Sequence, residues 1–422
     1  MSDVATRFPS RDFTRFWWAE TVSSFGTYIT LLALQTIVVL TLDGTAQDVG
    51  WVNSARWLPY LVLGLVVGAL VDRYRRKPVL VVTDLAQAVL LAAIPLAWAL
   101  DVLTLPLLLV VAACYGAASL VNGAASTAFV PRLVERRDLQ RAHARIDGAD
   151  AVAQTSGPAL AGLLVKLVGA PLAVLVDAAT YLFAAVATLT LRVDEPAPAP
   201  TARPSIVREI RDGVRWVYRG SGLAVLAATT HVWFAANAVV GAVLAPFALV
   251  TLGLSPLQFG VATALAGVGA VVGTATTSAG GRRLGTGGAV ILAHVVTTVG
   301  VVVTLVAGLG TSGWVATLVL GAGQACYGFG IGFSNSHEES YRQALTPDAL
   351  LGRTVTTMRS FNRAVIVVVA PLGGLLAVQA GERTALAVAA GIFAVAVLAL
   401  AASPFRRVRQ DLTADAEVGP AS

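Results

Sequence analysis

Three ionisable residues interrupt long apolar runs of this sequence and are its best candidates for chemistry. Glu20 and Asp177 are acids, and Arg56 is the basic residue inside an apolar run of the same half of the chain. A charged side chain at the centre of a membrane costs roughly 2.5–3.5 kcal/mol or more, so such residues pair with one another or serve a function. An acid in this setting could take up and release a proton. The alternative for all three is a structural ion pair.

Other ionisable residues stand at or near the ends of apolar runs. Asp147, Asp150, Glu338, Glu339 and Arg359 are expected to form pairs near the membrane surface. His231 and His294 lie inside apolar runs, and we expect His294 to bond a neighbouring carbonyl group.

A second feature is a proline flanked by small residues, Ala153-Gln-Thr-Ser-Gly157-Pro158-Ala-Leu-Ala161-Gly162. Pro158 removes one helix hydrogen bond and bends the helix. The small residues leave a smooth face that could rock against a facing element, although a tightly packed kinked helix is the alternative. A related stretch, Ala370-Pro371-Leu-Gly-Gly374, occurs in the second half of the chain and indicates an internal repeat.

A third feature is a charged loop after a glycine-containing helix end: Gly64, Gly68, Asp72, Arg73, Arg75 and Arg76. The glycines would let this helix approach a neighbour closely. Asp72 could pair with an arginine or a helix N-terminus and so latch one conformation. The alternative is a loop whose basic residues only set the topology.

These residues belong to a chain of 422 residues that is 56% hydrophobic and only 13% charged, a composition suited to lipid. A helix needs roughly 20 apolar residues to cross a bilayer. Twelve such runs span residues 16–41, 47–71, 78–100, 103–130, 147–168, 171–191, 223–250, 256–280, 287–308, 313–336, 360–379 and 384–402. The sequence therefore predicts an all-α integral membrane protein with twelve transmembrane helices in two six-helix repeats. Cys114 and Cys326 stand in these runs and are expected to be buried thiols.

The loops define the organisation of the chain. Arginine and lysine cluster before the first run, after every even-numbered run and after the last, which places both termini in the cytoplasm. We predict a six-helix bundle at 1–192, a cytoplasmic linker with an amphipathic helix at 193–220, a second bundle at 221–404 and a cytoplasmic tail at 405–422. The expected location is the plasma membrane.

The charged loop and the proline motif resemble signatures of the major facilitator superfamily. Gly68-Ala-Leu-Val-Asp72-Arg73-Tyr-Arg75-Arg76 is similar to G-x-x-x-D-R-x-G-R-R, with Arg75 in place of a glycine. The proline motif is similar to the antiporter signature G-x-x-x-G-P-x-x-G-G of exporters, with alanine at two glycine positions. Arg56-Trp-Leu-Pro59-Tyr60 and Pro347-Asp-Ala-Leu-Leu-Gly352-Arg353 look like the enterobactin-exporter-like and macrolide-efflux-like branch.

The resemblance implies the major facilitator fold and the export of drug-like or natural-product molecules by alternating access, with protons as coupling ion. Helix 1 would line the cavity, which ranks Glu20 above Asp177 as proton carrier. Runs 1, 4, 7 and 10 would supply the polar and aromatic lining: Tyr28, Gln35, Tyr115, Asn122, Trp233, Asn237, Gln324 and Tyr327. We expect a monomer in contact with membrane lipid, with no cofactor, no metal and no nucleic-acid partner.

Other functions stay open at this point. Within transport, the alternatives are solute uptake and coupling to another ion. A membrane-embedded enzyme would need a paired acid–base or metal set, and neither histidine has a nearby HxxxH or HxxE spacing. A channel is disfavoured because a twofold six-helix repeat in one chain does not suit a symmetric oligomeric pore.

Overall fold

The computed structural model describes residues 8–64, 66–71, 73–193, 195, 206–220 and 222–409, and what it describes is almost entirely helical. In lipid a backbone must satisfy its own hydrogen bonds, which a long apolar run does by forming a helix. The helices are α1 (Arg11–Thr36), α2 (Ala46–Leu63), α3 (Val67–Val71), α4 (Arg76–Ala99), α5 (Leu105–Leu133), α6 (Leu139–Val168), α7 (Ala170–Leu189), α8 (Ile206–Arg215), α9 (Ala224–Pro246), α10 (Pro256–Val306), α11 (Gly313–Leu345), α12 (Asp348–Ala380) and α13 (Glu382–Ala402).

The predicted all-α membrane fold with twelve helices is confirmed. Ten of the described helices are long and apolar enough to cross a membrane. The count reaches twelve because α2 and α3 together form the second run and α10 contains two runs. The two parts of α10 meet at Gly285, whose φ of 69° is a conformation that glycine adopts without steric cost.

Two helices begin at least eight residues earlier than predicted. The fifth run starts within α6, which begins at Leu139, and the eleventh starts within α12, which begins at Asp348. The polar turns before these runs contain good helix formers such as alanine, leucine and arginine, so the helix extends beyond the apolar part. The expectation for Cys114 was wrong, because this thiol is exposed on α5. An apolar run in lipid can leave part of its own surface uncovered by protein.

The first compact unit comprises residues 1–44, 51–204 and 255–260. Within it α7 packs against α1 and α4, α1 packs against α6, and α5 packs against α4. A cluster that includes Phe13, Phe16 and Phe129 fills its core near the start of α1. The backbone N–H groups of Arg76 and Lys77 donate to the carboxylate of Glu195 at 2.9 and 3.0 Å, which stabilises the positive N-terminal end of α4.

The second compact unit comprises residues 45–50, 205–254 and 261–422. Within it α9 packs against α12 and α13, and the amphipathic helix α8 lies on α12. The Asp212 carboxylate of α8 accepts a hydrogen bond from Arg353 at 3.4 Å. Gly213 allows this approach, since a Cβ there would stand 2.5 Å from Thr357 Oγ1.

Candidate functional site

Two carboxyl groups interact electrostatically inside the first unit. Glu20 of α1 has Ser126 of α5 as a polar neighbour and interacts electrostatically with Asp150 of α6 and Asp84 of α4. Asp84 is only 5% exposed, and its Oδ1 accepts a hydrogen bond from Asn122 Nδ2 at 2.7 Å. Asn122 Nδ2 also donates to Thr83 Oγ1 at 2.9 Å. Asp84 is thus held by a hydrogen bond, whereas Glu20 is half-buried among polar and acidic neighbours.

Asp84 was missed by the sequence interpretation. It is the seventh residue of the predicted run 78–100, and the apolar stretches on both sides were the signal that could have identified it. Asn122 was expected only as cavity lining, and its contact with Asp84 gives it a positioning role. No arginine or lysine forms an ion pair with Glu20 or Asp84 in the described part of this unit.

Asp177 occupies a separate, fully buried position on α7. Its side chain is 0% exposed, and its Oδ1 accepts a hydrogen bond from Thr180 Oγ1 at 3.0 Å. Its Oδ2 has no hydrogen-bond partner among the described residues. Gly26 of α1 makes room for this acid, because a Cβ there would stand 2.9 Å from Asp177 Cγ. The half-buried Arg56 interacts electrostatically with Asp177, so the structure associates this cation with Asp177 rather than with Glu20.

Tyrosine hydroxyl groups form a short chain beside Asp177. Tyr115 and Tyr181 share a hydrogen bond of 2.9 Å, and Tyr181 shares another of 3.0 Å with Thr27 of α1. Tyr115 was predicted to line a cavity, and here it is buried with its hydroxyl bonded inside the bundle. Tyr28 donates a hydrogen bond of 3.3 Å to Asp150 Oδ2 of α6.

The predicted lining residues of the second unit form an aromatic and amide cluster. Tyr327 donates a hydrogen bond to Asn237 Oδ1 and stacks on Trp233 with ring centroids 6.1 Å apart. Gln324 is buried and donates to Thr304 Oγ1 at 3.4 Å. Gln35 of the first unit is half-buried on α1.

The two histidines have different environments. His294 bonds the Val290 carbonyl through Nδ1 at 2.9 Å, which confirms that prediction. His231 Nδ1 bonds Asn362 Oδ1 at 2.6 Å, and its Nε2 bonds the hydroxyl of Tyr218. Burial raises the pKa of Tyr218, so this hydroxyl keeps its proton. His231 therefore connects the segment after α8 to α9 and α12.

The proline motif of α6 lies against the start of α10, which belongs to the same unit. A Cβ on Gly162 would stand 3.1 Å from the Cα atoms of Gly260 and Leu257, and a Cβ on Gly260 would stand 2.9 Å from the Cα of Gly162. Gly157 packs on Tyr28 of α1, since a Cβ on Gly157 would stand 2.6 Å from the Tyr28 Cβ. At Gly162 and Gly260, α6 and α10 thus approach each other backbone to backbone.

The corresponding motif of α12 makes the same kind of contact within the second unit. A Cβ on Gly374 would stand 2.5 Å from the Cα of Gln47, at the start of α2. A Cβ on Gly50 would stand 2.7 Å from the carbonyl carbon of Ala370. Both repeats thus use small residues beside a proline to admit the first turn of another helix.

The charged loop is described only in part. Asp72 lies outside the described residues. No described atom comes within 4 Å of a Cβ on Gly68, so the close approach expected at this glycine is absent from the described part of the chain. Arg73 is exposed, and Arg76 contributes its backbone N–H to the contact with Glu195.

Solved structures with the same architecture are transporters of the major facilitator fold. A bacterial homologue of the iron transporter ferroportin in an inward-facing state matches with a TM-score of 0.71 at 15% identity, covering 94% of this chain and 99% of that one. The nucleoside transporter NupG matches with a TM-score of 0.75 at 14% identity, covering 93% and 98%. At these identities the likeness shows the fold alone.

Residues 5–420 match the family described as "Transmembrane secretion effector". This match spans nearly the whole chain, and the protein belongs to this family of the major facilitator superfamily.

Individual relatives cover a smaller part. The multidrug efflux pump Tap of Mycobacterium tuberculosis (strain ATCC 25618 / H37Rv) is 29% identical over 211 residues, 48% of this chain and 49% of that protein. Macrolide efflux protein A of Streptococcus pyogenes is 22% identical over 218 residues, 51% and 53% of the two chains. The chain thus spans about half the length of the curated relatives it matches. These relatives and the structural neighbours are transporters and not enzymes.

Proposed function

We propose that this protein exports drug-like or natural-product small molecules across the plasma membrane by alternating access, in exchange for protons. The observation that carries the proposal is the pair of acids Glu20 and Asp84, which interact inside the first unit. The two relatives named for efflux support the direction of transport.

The coupling mechanism follows from the charges of this pair. Two ionised carboxyl groups close together in an apolar interior repel each other and are poorly solvated. Uptake of one proton relieves that repulsion, and release of the proton restores it. Asn122 holds Asp84 in place during this cycle, and Ser126 is the polar neighbour of Glu20. Glu20 remains our first choice for the proton carrier, with Asp84 as its partner.

Asp177 is the second candidate. Its unpartnered Oδ2 can hold a proton without breaking an existing hydrogen bond. A conformational change that moves Arg56 toward or away from Asp177 would change how strongly this acid holds its proton. Arg56 therefore acts on Asp177 in this proposal.

The substrate class follows from the polar and aromatic groups available to it. Trp233 and Tyr327 offer broad aromatic faces, and Asn237 offers an uncharged polar group, whereas Gln324 is buried and bonded to Thr304. Such a lining suits a large amphiphilic molecule held mainly by apolar contact and oriented by a few hydrogen bonds.

The organisation proposed from the sequence completes this account. Both termini and the linker at 193–220 lie in the cytoplasm, between bundles at 1–192 and 221–404, and the chain acts as a monomer in contact with lipid. Asp72 serves as a latch for one conformation, beside Arg73 and Arg76. A cysteine introduced at Ser205 should resist an impermeant reagent added outside intact cells, and ready labelling would refute this orientation.

The test of function is a drug-susceptibility panel in an efflux-deficient host. Expression should raise the tolerance to a set of amphiphilic compounds, and a protonophore should remove that protection. Glu20→Gln should give no protection at equal membrane abundance, whereas Glu135→Gln, an exposed acid between α5 and α6, should behave like the unchanged protein. Increased sensitivity on expression would indicate uptake and would refute export.

A further inference from the structure

An open groove lies on the first unit where the end of α3, the start of α4 and the middle of α5 meet. Its volume is about 430 Å³, within the range of about 300–1,000 Å³ usual for ligand-binding cavities. Leu70, Val79, Val82 and Val121 supply apolar walls. Thr83 also lines it, and its hydroxyl is already bonded to the Val79 carbonyl at 2.8 Å. The interior of the groove therefore offers almost nothing but hydrocarbon contact.

The groove is accessible from outside the unit. Val82 is 65% exposed and Leu70 is 48% exposed. In a membrane-spanning protein, apolar side chains exposed on the outside of a bundle contact acyl chains. An extended hydrocarbon chain is thus the simplest molecule that matches the walls.

One end of the groove is basic and aromatic. Arg75 and Tyr74 line that end, and Tyr74 is 56% exposed. Arg75 is exposed at the residue before α4, and it has no ion-pair or hydrogen-bond partner in the described part of the chain. Tyrosine and arginine at the end of a membrane helix are positioned at the depth of lipid headgroups.

We propose that this groove binds an anionic glycerophospholipid, with one acyl chain along Leu70, Val79 and Val82 and the phosphate on Arg75. The guanidinium group forms paired hydrogen bonds with phosphate oxygens and is charged at every physiological pH. Basic pockets between membrane helices bind acidic headgroups for this reason. The acyl chain of a zwitterionic lipid contacts the groove walls equally well, but its headgroup lacks the net negative charge that Arg75 attracts. The groove shares Thr83 with the polar contacts around Asp84, but this proposal does not require the proposed export to be correct.

The experiment measures lipid retention by the purified full-length protein. The protein is equilibrated in bilayer discs of equal parts phosphatidylglycerol and phosphatidylcholine, transferred to mild detergent and analysed by native mass spectrometry. The unchanged protein should retain one phosphatidylglycerol in preference to phosphatidylcholine. Arg75→Gln should lower that retention about fivefold, since one arginine near a membrane surface contributes about this factor.

Two further variants test the acyl-chain part of the site. Val82→Trp fills the groove and should abolish retention of the tightly held lipid. Val89→Trp, two helical turns further along α4, is a matched control because Val89 is 69% exposed and does not line the groove. Arg136→Gln, an exposed arginine between α5 and α6, is the matched control for charge.

Equal retention of the two lipids by the unchanged protein would overturn the proposal. So would normal retention in either Arg75→Gln or Val82→Trp, or an equal loss in the two controls. If Val82→Trp leaves lipid retention intact and alters export, the groove holds something other than lipid. Thermal unfolding in detergent, measured for each variant, separates loss of the site from loss of the fold.

Discussion

Replacing Gly162 by alanine tests whether the backbone contact between α6 and the start of α10 is needed for transport. The new Cβ would lie less than 3.0 Å from the carbonyl oxygen of Pro256, a separation that real Cβ atoms essentially never show. It would also lie 3.1 Å from the Cα atoms of Gly260 and Leu257. Ordinary van der Waals contact begins at 3.4 Å, and the obstructing atoms are backbone. The two helices must therefore separate by several tenths of an ångström.

Such overpacking costs about 1–3 kcal/mol. In a helix interior, alanine otherwise stabilises by roughly 0.5–1 kcal/mol relative to glycine. Gly148→Ala on the same helix is the matched control, because nothing lies within 4 Å of its Cβ. We expect Gly148→Ala to unfold at the same or a slightly higher temperature with normal export. Gly162→Ala should lower the unfolding temperature and reduce the rate of export severalfold at equal abundance.

The assay pairs thermal unfolding in detergent with the initial rate of substrate export from cells. Gly374→Ala in α12 should reproduce both effects, since its Cβ would stand 2.5 Å from the Cα of Gln47. If Gly162→Ala matches Gly148→Ala in both measurements, the contact is not tight enough to matter, and the mechanical interpretation of the proline motif is refuted.

Three other predictions concern polar side-chain contacts and the packing of α8. Asp84→Asn should keep stability within about 1 kcal/mol, because the amide retains an acceptor for Asn122, while export falls at least tenfold. The control is Asp101→Asn, at an exposed residue whose φ of 56° asparagine tolerates, and it should change neither stability nor export. Normal export by Asp84→Asn would remove Asp84 from the coupling pair. A double-mutant cycle of Asp212→Asn and Arg353→Gln should give an interaction free energy under about 1 kcal/mol, since these side chains are 38% and 31% exposed. A larger interaction free energy would contradict a solvent-exposed ion pair. Gly213→Val should speed proteolysis at residues 206–220 by lifting α8 from α12, and unchanged cleavage would argue against that packing.

The number and order of the helices were largely predictable, because a backbone in lipid must satisfy its own hydrogen bonds. Each apolar run had to become a helix, and the break between runs eight and nine was visible in the sequence that surrounds Gly285. The internal repeat of the proline motifs was predictable as well. Its physical meaning required the structure, since nothing in the sequence shows that Gly162 contacts Gly260 or that Gly374 contacts Gln47.

The candidate site was less predictable because it depends on helix rotation. Glu20, Asp177 and Arg56 were identifiable as charges in apolar surroundings. The association of Arg56 with Asp177, and of Glu20 with Asp84, depends on which faces of α1, α2, α4 and α7 meet. Periodicity does not fix those faces when a helix is apolar on every side, as most of these are.

The most direct test of proton-coupled export is proton movement in proteoliposomes that contain the purified protein. A substrate from the susceptibility panel is added under an imposed pH gradient, and an internal pH-sensitive dye follows protons while the substrate is measured in parallel. We expect protons to move opposite to the substrate, and Glu20→Gln to abolish this proton movement while keeping downhill substrate exchange. Substrate accumulation without proton movement, or unchanged proton movement in Glu20→Gln, would contradict the account.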